Sequence, residues 1–288
     1  MREMIPMDEV KLKNIKPFDE LTITDDFMFG AVMSDPKHLK PLLEYILGIK
    51  ISQITYPEKQ KTIDVNYGYK GVRLDVYCED DEKTVYSIEI QTTDQKNLPK
   101  RIRYYRDMID INILDKGGDY RELKKSFVIF ICTFDYYKKC RYMYTFKNQC
   151  QEDSTLYLND ETTAIVLNAT GTIGEINEEL KSVLRYMSGQ TPTSGYAEVL
   201  DKAVNAVKGN EKWRRDYMTL AMRIDTEREI AALGKSVSAI RKGRGKGSDD
   251  FLISVLGLDK ERFVEISDLL DKNPDKSDWD IAETIING

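Results

Sequence analysis

The residue types best placed for chemistry in this chain are an aspartate and a glutamate at alternating positions. In Val72–Cys78 a period of two puts Arg73, Asp75 and Tyr77 on one face of a strand, and in Val85–Gln91 it puts Ser87, Glu89 and Gln91 together. The turn-prone acidic stretch Glu79-Asp80-Asp81-Glu82 between them predicts an antiparallel hairpin. A loop centred near Asp81 or Glu82 then brings Asp75 opposite Glu89. Opposed positions hold Cβ atoms about 5 Å apart, where like charges repel unless a cation lies between them. Two carboxylates with a main-chain carbonyl and waters form a hard oxygen set, suited to Mg²⁺ or Mn²⁺ rather than zinc. Solvated surface charge is the competing reading of such a pair.

The segment C-terminal to the acidic pair sharpens this reading. The net charge of −6 argues weakly against nucleic-acid binding, but residues 96–150 hold 13 Lys and Arg against 6 Asp and Glu, a local +7. Residues 1–95 carry −6 and residues 151–288 carry −7. In the basic segment Lys96, Lys100, Arg101, Arg103 and Arg106 are interleaved with Tyr104 and Tyr105, a mixture suited to phosphate contact and aromatic packing. A solvated helix face is the alternative. Acidic ligands followed by a basic helix fit metal-assisted attack on a phosphodiester, in which the ion activates water and the helix holds the backbone.

Other chemistries are excluded by composition. His38, in a polar stretch beside a proline and expected at the surface, is the only histidine, so His-based triads and H-E-x-x-H sites have no ligands to draw on, and a structural zinc centre lacks the two close ligand pairs it needs. Cys78, Cys132, Cys140 and Cys150 contain no C-x-x-C pair and predict reduced thiols. No apolar run reaches membrane-span length, and the N-terminal stretch lacks a secretory h-region, so a cytoplasmic protein without a membrane partner is expected.

The elements that must position these residues are legible as changes of period. Apolar spacing from Thr22 to Leu47, broken at Asp35-Pro36, predicts two helices, with Thr24 or Asp25 capping the first and Gly48 ending the second. Strands are expected over Ile63–Tyr69, Val72–Cys78 and Val85–Gln91, then a helix over Pro99–Leu114 and a buried strand over Ser126–Thr133. Further strands are expected at Arg141–Phe146 and Ala164–Asn168. Beyond Gly171 the pattern is helical, over Ile173–Met187, Tyr196–Val207 and Glu211 to about Arg241. The stretch Arg241–Gly247 reads as a flexible basic linker, and Asp249–Ile286 as three short amphipathic helices. Trp213, Arg214 and Arg215 head the long helix and allow either DNA contact or a structural role.

The series Thr24-Asp-Asp-Phe-Met-Phe, Arg73-Leu-Asp-Val-Tyr, Ser87-Ile-Glu-Ile-Gln91, Lys100-Arg-Ile-Arg-Tyr-Tyr105 and Gly118-Asp-Tyr-Arg-Glu-Leu123 resembles the PD-(D/E)XK nuclease family transposases, also described as recombination-promoting nucleases. The likeness runs from about Leu21 to Asp135 and leaves residues beyond about 190 uncovered. It implies an α/β fold with a restriction-endonuclease-like αβββαβ core and a helical C-terminal extension. It also implies a metal held by Asp75, Glu89 and the Ile90 carbonyl. Gln91 stands where the wider superfamily has lysine, and an amide can orient water but cannot act as a general base. Arg101 is the residue that can supply the missing positive charge, and with Tyr105 it matches an R-x-x-x-Y helix motif. Asp26 reads either as a first-turn acid favoured by the helix dipole or, by the resemblance, as a residue near the metal's water.

The resulting expectation is a Mg²⁺- or Mn²⁺-dependent DNA endonuclease acting in recombination, mobile-element movement or defence. Asp75, Glu89, Gln91 and Arg101 are its catalytic set, and Lys96, Lys100, Arg101, Arg103 and Tyr105 its nucleic-acid contacts. Expected domains are a nuclease-like 1–170, a helical 171–241, a linker 242–248 and a C-terminal module 249–288. A homodimer and a protein partner for that module are further expectations, and a catalytically silent DNA-binding relative is the alternative.

Overall fold

The computed structural model describes residues 15–63, 72–192, 195–244 and 246–288. The N-terminal apolar spacing becomes α1 (Asp26–Met33) and α2 (Pro36–Leu47). Asp35 caps α2 by accepting from the Lys37 N–H at 3.0 Å, and Gly48 ends it in the left-handed region, which a residue without Cβ adopts at no steric cost. At α1 the expected cap differs. Asp25 occupies the cap position, but its carboxylate turns back to accept from the Thr22 N–H at 2.7 Å. His38 also departs from expectation, since it is half-buried with Nδ1 3.0 Å from the Val32 carbonyl oxygen.

Six strands form one sheet: β1 (Ile54–Ile63), β2 (Val72–Asp80), β3 (Val85–Gln91), β4 (Ser126–Cys132), β5 (Met143–Phe146) and β6 (Thr162–Asn168). Their spatial order is β1-β2-β3-β4-β6-β5, with β1–β2–β3 and β5–β6 antiparallel and β3–β4–β6 parallel. The parallel step is made by α3 (Leu98–Ile113), the crossover that two parallel neighbours require. The order α, three antiparallel strands, α, strand is the expected restriction-endonuclease-like core.

The strand β1 lies outside the expected pattern. Its sequence carries Pro57 and a run of charged residues, which argue against a central strand, and it sits at the sheet edge with a register shift between Thr55 and Glu58. Of the strand expected over Ile63–Tyr69, residues 64–69 lie outside the described residues.

One face of the sheet is covered by α3, whose Leu98, Ile102, Met108 and Ile109 join Val128, Phe130, Ala164 and Val166 in a buried cluster. On the opposite side, α1 contacts β1, β2 and β3. The helices α4 (Glu178–Met187) and α5 (Gly195–Lys208) pack against each other and against α2 and α1 respectively. They therefore belong to the same compact unit as the sheet, Phe18–Trp213. Trp213 is part of this unit's packing, edge-on to Phe27 with ring centroids 6.1 Å apart.

The other compact unit contains, among the described residues, 15–17 and Arg214–Gly288. The long helix α6 (Glu211–Gly243) contributes Ile230, Val237 and Ile240 to a core shared with α7 (Asp249–Leu256), α8 (Lys260–Lys272) and α9 (Asp278–Asn287). At the start of the stretch expected as a linker, α6 runs on to Gly243, and two arginines there are bonded to the module. Arg241 donates to Asp278 Oδ1 at 2.7 Å and to the Pro274 and Lys276 carbonyls, and Arg244 donates to the Ser267 carbonyl and Asp271. The forked guanidinium satisfies several acceptors at once, which holds this segment against the module.

Candidate active site

The β2–β3 ladder pairs Glu79 with Val85 through to Val76 with Ile88, and Asp75 and Glu89 are the next positions along the two strands. There the side chains replace the main-chain pattern. The Asp75 N–H donates to Glu89 Oε1 at 3.1 Å, and the Ile90 N–H donates to Asp75 Oδ2 at 3.0 Å. The two carboxylates are thus interlocked with the backbone of the opposing strand. Both are buried, Asp75 at 8% exposure and Glu89 at 2%, so the reading of a solvated surface pair does not hold. The register is set by the tight turn before β3. Asp80 Oδ1 accepts from the Glu82 and Thr84 N–H groups, both at 2.9 Å, while Oδ2 accepts from the Tyr86 hydroxyl at 2.7 Å.

Taking two carboxylates out of water at neighbouring positions is unfavourable. Burial, reinforced by the Asp75 charge, holds Glu89 well above the ordinary carboxylate range, with Asp26 adding to the pressure. The Asp75 N–H and the Arg101 guanidinium act in the other direction. Asp26 is exposed in the first turn of α1. Among the described residues no group of three or more His, Cys, Asp or Glu side chains gathers as a metal cluster. A cation here would rest on the two carboxylates plus main-chain and water oxygens.

Gln91 and Arg101 meet. Arg101, half-buried on α3, donates through Nη1 to Gln91 Oε1 and through Nη2 to the Tyr105 hydroxyl at 2.9 Å. Its guanidinium carbon lies 5.3 Å from the Tyr105 ring centroid and 5.2 Å from that of Phe130, within cation–π range of both. Gln91 Nε2 donates to the Thr93 carbonyl at 2.7 Å, so both ends of the amide are engaged. Tyr105, expected to touch nucleic acid, is half-buried against Phe130, with its hydroxyl turned to Arg101. Burial raises its phenol pKa, so it stays protonated.

The remaining basic residues separate into two groups. Lys100 and Arg103 are exposed on α3, one turn apart, and Lys96 is exposed but bonded to Asp94. Arg106 instead reaches β6, where it bonds Thr162 Oγ1 and pairs with Asp160 at 3.3 Å. Sequence reasoning assigned no role to Ser87, whose hydroxyl lies 3.4 Å from Glu89 Oε1, nor to Phe130, the ring beneath Arg101. Ser87 shares the face of Glu89 by strand alternation, whereas nothing in the pattern of β4 marks Phe130.

A family description for PD-(D/E)XK nuclease family transposases matches residues 24–183, more than half of the chain. No curated protein and no solved structure matches it. The matched stretch takes in α1, the β2–β3 hairpin with its buried carboxylates, α3 and the rest of the sheet. On that match and this topology, the chain belongs to the PD-(D/E)XK nuclease family transposases.

Proposed function

We propose that this protein is a divalent-metal-dependent endonuclease that hydrolyses phosphodiester bonds of DNA in a mobile-element or recombination context. The observation that carries the reading is the burial of Asp75 and Glu89 side by side across the β2–β3 hairpin, with Arg101 held next to them. The donor set fits a hard cation, because paired buried carboxylates are relieved of their repulsion by a positive charge. Asp75, Glu89 and the Ile90 carbonyl would hold Mg²⁺ or Mn²⁺. Such an ion supplies Lewis acidity at the scissile phosphate and makes water a better nucleophile at neutral pH.

The chain's own residues do the rest. Arg101 presents permanent positive charge toward developing charge on the phosphate, in the role a lysine at position 91 would fill. Gln91 positions Arg101 through its carbonyl oxygen. The amide, the guanidinium and the protonated Tyr105 phenol accept no proton, so the proton of the attacking water leaves to solvent, to a substrate phosphate oxygen or to a neighbouring carboxylate such as Asp26. Lys96, Lys100 and Arg103 contact backbone phosphates at the start of α3.

The test is nicking of supercoiled plasmid with Mg²⁺, Mn²⁺ or EDTA by the wild type and by Asp75→Ala and Glu89→Ala. Cutting that requires the metal and both carboxylates supports the proposal. Duplex binding in Ca²⁺ by all three proteins, with cutting by none, refutes catalysis and favours a silent DNA-binding relative.

A further inference from the structure

We propose that the loop after β4, residues 133–142, is a preformed clamp that grips the phosphate backbone of duplex DNA through Lys138, Lys139 and Arg141. The inference deepens the nuclease reading above and rests on it for the identity of the partner.

The position of the loop follows from the sheet. The parallel β3–β4 ladder ends at Gln91 and Cys132, and the next residue, Thr133, donates its N–H to the Gln91 carbonyl at 3.1 Å. The loop therefore leaves the sheet beside the residue that holds Arg101. Its charge extends toward α3. Asp94 is held below the usual carboxylate range, first by its bonds to Lys96 and also by the nearby Lys138 ammonium.

Its shape is built in. Asp135 Oδ1 accepts from the Lys138 N–H at 2.9 Å and from the Tyr144 hydroxyl at 3.2 Å, and Oδ2 accepts from the Cys140 N–H at 2.6 Å. These bonds hold Lys138 and Cys140 in the left-handed region, with φ of 53° and 57°, which side-chain-bearing residues rarely adopt. Tyr137 packs beneath with its ring centroid 4.8 Å from that of Tyr144 and 5.2 Å from that of Phe146. Uncommon backbone conformations kept in place by such bracing concentrate at binding sites. A loop already ordered loses little freedom on binding.

Its cations also stand outside ion pairs, although Lys138 lies within electrostatic reach of Asp94. Elsewhere in the basic segment, Lys96, Arg106, Arg121 and Lys124 are paired with Asp94, Asp160, Asp119 and Glu79, while Lys100 and Arg103 on α3 are exposed without an ion pair among the described residues. Lys138, Lys139 and Arg141 are exposed and form no ion pair among the described residues. The only carboxylate within the loop, Asp135, points its oxygens inward at its own backbone. Three exposed cations on a fixed frame suit contact with the phosphates of a duplex.

The test is fluorescence anisotropy of a short duplex with the full chain in Ca²⁺, over a range of salt. The triple variant K138A/K139A/R141A is expected to bind about tenfold or more weakly near 0.1 M salt, with a log–log salt slope shallower by about 2 to 3. K37A/K40A/K50A, which removes the same charge from α2 and the residues after it, should stay within about twofold of wild type on the same measure. Asp135→Ala separates shape from charge, since it removes a negative charge yet should weaken binding several-fold. A loop triple that binds like the α2 triple overturns the proposal, as does tighter binding by Asp135→Ala in protein whose near-ultraviolet circular dichroism is native. Loop-dependent binding without plasmid nicking would refute the nuclease reading alone, and nicking without loop dependence would refute the clamp alone.

Discussion

Replacing Glu89 by glutamine should make the metal-free protein more stable, and the size of the gain follows from the geometry. The amide side chain keeps the shape and the oxygen that accepts from the Asp75 N–H, but removes one of two buried charges. Two carboxylates about 5 Å apart at an effective dielectric constant near 20 repel by about 3 kcal/mol. The Asp75 N–H and Arg101 already offset part of this, leaving a net gain of about 2 kcal/mol in the variant. For a unit the size of Phe18–Trp213 that is an increase of about 4 to 8 °C in melting temperature in EDTA. Mg²⁺ at a hundredfold over its dissociation constant should stabilise the wild type by about 2.7 kcal/mol, or about 5 to 11 °C, and leave the variant unmoved. Differential scanning calorimetry in EDTA and in Mg²⁺ reads both quantities. A lower melting temperature for Glu89→Gln in EDTA would make the carboxylate a structural support. A full Mg²⁺ shift in the variant would put the ion elsewhere.

Tyr105→Phe removes the hydroxyl that accepts from Arg101 while leaving the ring, so it should cost about 1 kcal/mol in urea denaturation and slow nicking without weakening duplex binding. Arg106→Ala should cost about 1 to 2 kcal/mol by releasing Thr162 and Asp160, with duplex affinity unchanged, whereas Lys100→Ala should lower affinity and leave stability intact. Burial raises the Asp160 pKa, but Asn148, Thr162 and Arg106 outweigh it and hold the group below its ordinary value. Its stabilising contribution is therefore complete above the unfolded carboxylate pKa of about 4 and lost as pH falls through the folded value, and Asp160→Asn should flatten that acid limb in a pH series of melting temperatures. Burial pushes the Cys132 thiol up to about 12 and raises that of Cys78, so at pH 8 a maleimide should label exposed Cys140 and spare both until the protein unfolds, as read by mass spectrometry.

The hairpin and its acidic pair were legible because strand alternation and turn chemistry are local. Once Asp80–Thr84 closes a turn, the pairing of Val76 with Ile88 follows, and with it the facing of Asp75 and Glu89. The helix α3 was equally legible from apolar spacing, within one residue at each end. The edge strand β1 was not, because an edge strand tolerates the proline and charges that local preference reads as loop. The bonds of Arg241 and Arg244 were not legible for a related reason. Glycine and charge signal flexibility locally, while the acceptors that anchor Arg241 and Arg244 lie 23 to 37 residues further on.

By itself the sequence determined the class of chemistry available, since one histidine and no paired cysteines leave carboxylates and cations as the working groups. It also determined the strands and helices that carry them, because periodicity reflects which side of each element meets the core. Which of its many cations are committed to a partner was decided only in three dimensions. On one helix Arg101 turns to Gln91, Arg106 is tied to β6, and Lys100 and Arg103 remain exposed, although all four stand within seven residues of one another. The tertiary structure makes that choice because a charge is committed by the partner it meets, and those partners come from strands distant in the chain.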